Sequence, residues 1–283
     1  MKPVFRLLLF GNLWIALGAA LITAQTCWLI ERPGAAMAWL VFFSTAAGYT
    51  FHRLIRFNRW SLRLQSTRVN WLLRSRKALT MWFVFTLVMT VVWAVWVFPV
   101  EFLIALLPLA LITAVYVVPV IPVAGDWLAL RDVPGAKLWV IVLTWAMVTV
   151  ALPLWYFKPE MGATAMLLLF LERSCWIAAL TIPFDVRDVQ YDAARQKTLP
   201  QMRGAGGALR ISLGLMGAFA LITSILFLLK EYCFFTWMAM LVSAAVALVI
   251  IDRSKRVTNE FYHAFWIDGL MVLQPVLVFL SLG

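Results

Sequence analysis

Apolar runs as long as a bilayer is thick recur along the whole sequence, and they decide what such a chain can fold into. A helix crosses the hydrocarbon core with about 20 residues. Nine stretches reach that length, at roughly 5–30, 35–55, 78–98, 102–123, 138–157, 162–184, 209–229, 233–251 and 264–282. Hydrophobic residues make up 64% of the 283 and charged ones 13%, too few polar side chains to cover a water-soluble surface of this size. The pattern predicts an all-α, polytopic membrane protein, a single domain over 1–283 built as a bundle of nine transmembrane helices. The first run follows Met1-Lys2-Pro3, is too long for a signal-peptide core and shows no small-residue cleavage site, so it is expected to remain a helix.

The charges say how the bundle is oriented. Of 24 Lys and Arg, only Arg32, Lys158 and Lys230 fall in connections that nine spans from a cytoplasmic N-terminus would place outside. Arg173 lies within a span, and the remaining 20 fall on the predicted inside, as cytoplasmic loops require. The N-terminus and all the long polar segments are therefore expected in the cytoplasm. The net charge of +11 belongs to these anchoring loops, and no nucleic-acid partner is implied. Trp28, Trp127 and Trp155 sit near predicted span ends, where tryptophan favours the lipid–water boundary. Cys27, Cys175 and Cys233 form neither a C-x-x-C pair nor a disulfide framework.

One polar segment carries chemistry: PFDVRDVQYDAARQKTLPQMRG, residues 183–204. If it is helical, Asp185, Asp188 and Asp192 fall within about 60° of one another on one face. Like charges so placed repel one another, and a cation would offset the cost. Oxygen ligands with spare coordination positions suit Mg²⁺, which keeps waters and bridges to phosphates. Arg195, Lys197 and Arg203 follow at once, as a diphosphate partner would require. Spacing alone also allows a solvated loop whose acids pair with Arg187, Arg195 and Lys197.

The stretch D-V-R-D-V-Q-Y-D-A-A-R-Q-K-T-L-P resembles the second aspartate motif of the UbiA superfamily of intramembrane prenyltransferases, D-x-x-D-x-x-x-D followed by a basic residue and T-L-P. Asp185, Asp188, Asp192, Lys197, Thr198, Leu199 and Pro200 carry the match. Tyr116, with Arg131, Gly135 and Lys137, resembles the family's basic loop between its fourth and fifth helices, and Asp268-Gly269 resembles the D-G of its last helix. The resemblance implies transfer of an isoprenoid chain from a prenyl diphosphate to a lipophilic or aromatic acceptor, with membrane lipid around the bundle. It implies Mg²⁺ held by Asp185, Asp188 and Asp192 as catalytic residues, and diphosphate contacts from Lys197, Arg131, Lys137 and Tyr116. A water-poor cavity opening toward these aspartates would house the tail and protect an allylic cation.

The family's first motif, N-x-x-x-D-x-x-x-D at the end of helix two, has no counterpart: residues 48–65 read GYTFHRLIRFNRWSLRLQ, and no Asp or Glu occurs between Glu31 and Glu101. Tyr49, His52, Arg53 and Arg56 stand there at helical spacing. Arg53 and Arg56 are expected to grip diphosphate oxygens directly, since a guanidinium needs no metal to do so. They also fit a second reading, membrane anchoring.

Two other classes remain open: a binding protein that keeps the fold without the reaction, and a transporter, suggested by Glu172 and Arg173 within a span. Each of these two is expected to meet a partner on another helix, with Asp268 an available acid. A CDP-alcohol phosphotransferase is excluded, because Val189 follows Asp188 and no Asp occurs between Asp192 and Asp252. The segment 201–210, QMRGAGGALR, lacks the P-loop pattern and reads as a flexible lead-in to span seven.

Overall fold

Backbone polar groups in hydrocarbon must be satisfied within the chain, and helices do this without help from neighbours. A computed structural model describes residues 8–60, 67–123, 126–190, 192–257 and 259–282, with side chains for all of these except 56–60, 67–70, 123 and 126. In chain order the helices are α1 (Leu13–Leu29), α2 (Ala35–Trp60), α3 (Thr67–Arg74), α4 (Arg76–Val97), α5 (Val100–Val115), α6 (Ala136–Phe157), α7 (Ala163–Asp188), α8 (Leu199–Leu228), α9 (Phe234–Ser254) and α10 (Glu260–Ser281). Six of them, α4 and α6 to α10, are long and apolar enough to cross a membrane. The runs expected at 5–30 and 102–123 are represented by the shorter apolar helices α1 and α5, and 35–55 lies in α2. The class is all-α, and the protein is an integral membrane protein.

Exposure supports the lipid environment. Val95, Trp96, Ile104, Leu107 and Leu111 on α4 and α5 are each at least 60% exposed. In water such a surface would aggregate, whereas lipid tails match it. The packed centre lies elsewhere, where α7 makes its most extensive contact with α8. Trp176 and Phe219 are fully buried there, with ring centroids 4.9 Å apart. Close approach joins α1 to α10: a Cβ on Gly18 would stand 2.9 Å from the Met271 Cβ, so only glycine fits that crossing.

Two proline positions show how the helices keep their carbonyls satisfied. Pro183 in α7 has no N–H for the carbonyl of Ala179, and the Ser212 hydroxyl on α8 donates to that oxygen at 2.6 Å. Ser212→Ala is therefore expected to cost about 1–2 kcal/mol, read as a lower unfolding midpoint in detergent. An unchanged midpoint would mean that Ala179 finds another donor. Pro153 in α6 follows a π turn, Met147–Ala151, which widens the helix where its bond to Thr149 is missing.

Two local features depart from the sequence expectations. A short antiparallel hairpin, β1 (Ile121–Val123) and β2 (Asp126–Leu128), pairs Ile121 with Leu128 and occupies the connection before α6. The glycine-rich lead-in at 201–210 is helical and joins α8, interrupted only at Gly204, whose φ of 69° breaks the helix in a conformation that favours glycine. Trp127 and Trp155 are exposed, while Trp28 packs on Phe279.

Candidate functional site

The aspartate segment is a helix end followed by a braced loop. Asp188 is the last residue of α7, so Asp185, Asp188 and Asp192 do not share one helix face as the spacing suggested. The chain turns, and the Asp192 N–H donates to the Asp188 carbonyl at 3.0 Å. The T-L-P stretch supplies the start of α8: Thr198 is its N-cap and Pro200 lies in the first turn. The Thr198 N–H donates to Gln201 Oε1 at 3.0 Å, while Gln201 Nε2 donates to the carbonyls of Asp192 and Ala193. Gln196 ties this loop to the one before α6, donating to Asp132 Oδ1 at 2.7 Å and accepting the Gly135 N–H at 2.8 Å.

That docking brings Lys137, in the first turn of α6, against the aspartates. Its ammonium lies 2.8 Å from Asp185 Oδ1 and 2.7 Å from Asp192 Oδ2, and all three side chains are at most 8% exposed. Asp188 turns elsewhere: Arg187 grips it with Nε to Oδ1 at 2.7 Å and Nη2 to Oδ2 at 2.9 Å. So two carboxylates of the motif converge on one cationic centre, and the third is held by a guanidinium.

A basic and aromatic arc continues from Lys137. The Arg131 guanidinium lies over the Tyr116 ring, 5.4 Å from its centroid, and within electrostatic reach of Lys137. The His52 ring stands 5.4 Å from Tyr116, and its Nε2 is 3.2 Å from the Thr113 carbonyl. Arg53, one residue on, donates to the Phe10 carbonyl and is buried. Asp268 lies within electrostatic reach of Tyr49 on α2 and of Arg187 on α7. Lys197 is exposed, with a left-handed φ of 46°. The Arg56 side chain lies outside the described residues. Two donors stand out, since Arg131 Nε and Arg187 Nη1 are buried and have no hydrogen-bond partner among the described residues.

Glu172 and Arg173 occupy the bundle interior and point to different helices. Glu172 accepts the Thr223 hydroxyl on α8 and, at 2.7 Å, the Tyr232 hydroxyl beyond it. Arg173 donates to Gln274 on α10 at 3.3 Å and to Thr26 on α1 at 3.4 Å. Both have partners on other helices, as expected, but these are neutral groups, and Asp268 instead lies near Tyr49 and Arg187.

Three solved structures match along nearly the full length of the chain. A UbiA homologue from Aeropyrum pernix K1 covers 100% of this chain and 98% of its own, at TM-score 0.65 and 14% identity. A UbiA homologue from Archaeoglobus fulgidus, bound to GPP and Mg²⁺, matches over 98% of each chain at TM-score 0.62 and 14% identity. A digeranylgeranylglyceryl phosphate synthase structure covers 99% of this chain and 97% of its own at TM-score 0.56 and 14% identity. The chain has the UbiA fold. No family model and no curated protein matches its sequence.

On this fold Asp185 and Asp192 and the loop that carries Arg131 and Lys137 form one cluster, with Lys137 at its centre. Asp185 and Asp192 fit a divalent cation: they present hard oxygen donors to a common point, where the Lys137 ammonium stands in for the positive charge. No group of three metal-ligating side chains converges among the described residues, because Asp188 is committed to Arg187. The bracing residues Asp132, Gln196 and Gln201 went unnoticed in the sequence. The spacing of Thr198 and Gln201 is nonetheless a readable helix-start signature.

Proposed function

We propose that this chain is a divergent member of the UbiA superfamily that binds a prenyl diphosphate and transfers its isoprenoid chain to a lipophilic or aromatic acceptor. The supporting observation is the convergence of Asp185 and Asp192 on one cationic centre, with Arg131 in electrostatic reach of Lys137 and its Nε without an acceptor among the described residues. Asp185 and Asp192 would hold Mg²⁺, with Asp188 joining them if Arg187 turns to the ligand. The metal, when bound, offsets the charge that gathers on the departing diphosphate. Arg131, Lys137 and Arg187 bind diphosphate oxygens and orient the ester, with Tyr116 fixing the Arg131 plane. Lys197, Arg53 and Arg56 complete the basic rim in place of a first aspartate motif. The isoprenoid tail lies between the helices, away from water. In the reaction the allylic C–O bond breaks, the diphosphate leaves, and the allylic carbon joins the acceptor, which loses a proton.

Purified protein given radiolabelled geranyl, farnesyl or geranylgeranyl diphosphate, Mg²⁺ and a membrane lipid extract is expected to move label into an acceptor. Loss of a carboxylate partner from 35–60 favours one further reading, a binding protein without turnover. Tight binding of the labelled diphosphate with no labelled product would select it.

We also place the N-terminus and the aspartate site in the cytoplasm, on the 20 basic residues of the inner segments. Cys233, the exposed N-cap of α9, provides a native probe of the opposite face. Hydrogen bonds from the Thr236 hydroxyl and N–H hold its thiol below the usual range, favouring the thiolate that a maleimide attacks. A membrane-impermeant maleimide is expected to label Cys233 in intact cells, and Gly206→Cys only after the cells are opened. The reverse pattern would invert the topology.

A further inference from the structure

We propose that the Lys137 ammonium and a divalent cation compete for the same two carboxylate oxygens, so that Lys137 acts as an internal cation governing when the aspartates accept metal. This inference rests on the proposed reading of Asp185 and Asp192 as the metal-holding pair. Lys137 Nζ stands 2.8 Å from Asp185 Oδ1 and 2.7 Å from Asp192 Oδ2, which is full hydrogen-bonding contact with both. Mg²⁺ binds such oxygens at about 2.1 Å. A metal on the same two atoms would therefore lie almost in contact with the ammonium, in a pocket where all three side chains are at most 8% exposed. Two cations that close, with little water to screen them, exclude one another.

The ammonium has a reason to leave only when an anion arrives. Arg131 lies within electrostatic reach and opposes it, so among the described residues Asp185 and Asp192 hold it in place. A diphosphate beside Arg131 offers Lys137 an alternative anionic partner, and the flexible four-carbon stem of lysine lets it turn there. The freed oxygens then accept the metal. Metal and diphosphate binding become mutually reinforcing, and by linkage each raises the affinity of the other by the same factor. Lys137 is in this account a positioning residue for the metal as well as a diphosphate contact. The bracing bonds from Gln196 to Asp132 and Gly135 fix the distance between α6 and the aspartate loop on which the competition depends.

Mn²⁺ titration of the purified protein, followed by electron paramagnetic resonance without any diphosphate, tests this directly. Lys137→Met is expected to bind Mn²⁺ at least tenfold more tightly than the wild type, and Mn²⁺ is expected to raise its unfolding midpoint while leaving that of the wild type nearly unmoved. Lys137→Arg, which keeps the positive charge, is expected to behave as the wild type does. Lys137→Gln, closer in size and still polar, provides the same test should Lys137→Met fail to fold. Equal Mn²⁺ affinity in wild type and neutral variants would overturn the competition while leaving the metal site itself in place. If neither wild type nor variants bind Mn²⁺, and geranyl diphosphate brings no Mn²⁺ to the wild type, the metal reading of the aspartates falls and this inference with it.

Discussion

Asp185→Ala is expected to be among the most damaging single substitutions in this chain. It removes one of two carboxylates that neutralise a buried ammonium, leaving Lys137 with Asp192 alone. Breaking a buried pair costs about 3–5 kcal/mol, and the surviving carboxylate places the loss here near the lower end. The same change removes one of two oxygens proposed to hold metal, so affinity for a prenyl diphosphate with Mg²⁺ should fall by about tenfold or more. Chemical unfolding in detergent reads the first effect and calorimetry the second. Asp185→Asn separates them, since it retains shape and an acceptor for Lys137 but weakens metal binding.

The second large effect is expected far from the aspartates. Glu172→Ala deletes the acceptor of both Thr223 and Tyr232 within a buried polar cluster. Two buried hydroxyls then lose their acceptor, a combination worth about 3 kcal/mol. Glu172→Gln should cost less, because the amide oxygen still accepts one hydroxyl. Unfolding midpoints of the two variants, compared with Tyr232→Phe, test the order. If all three match the wild type, the polar cluster contributes nothing to folding. If Glu172→Gln unfolds normally yet alters transport of a solute, the transporter reading revives.

The helices were legible in the sequence because a span is a local property: twenty apolar residues announce themselves without reference to any other part of the chain. The aspartate site was legible only in part. Residues 185–192 could be read as a continuing helix because nothing between Asp188 and Asp192 breaks one by type. The turn there depends on Gln196 reaching Asp132 and Gly135, and on Gln201 reaching the Asp192 carbonyl. Such contacts are long-range, and no window of periodicity contains them. The pairing of Asp188 with Arg187 was among the readings the sequence allowed, whereas the bridging role of Lys137 joins positions 48 and 55 residues apart. The partners of Glu172 and Arg173 were hidden for the same reason. They are Thr, Tyr and Gln, which do not stand out in an apolar run as charges do. The hairpin at Ile121–Leu128 is too short to leave an alternating signal.

Calorimetric titration of geranyl diphosphate into the purified wild type and Asp192→Asn, both with Mg²⁺ present, tests the central claim most directly. Asp192→Asn keeps the brace from Gln201, which uses the backbone carbonyl, and so isolates the carboxylate. The account predicts saturable binding to the wild type, competition by inorganic pyrophosphate, and an affinity at least tenfold lower in the variant, equivalent to about 1.4 kcal/mol or more. Absence of binding to the wild type, or equal binding to both proteins, would contradict it.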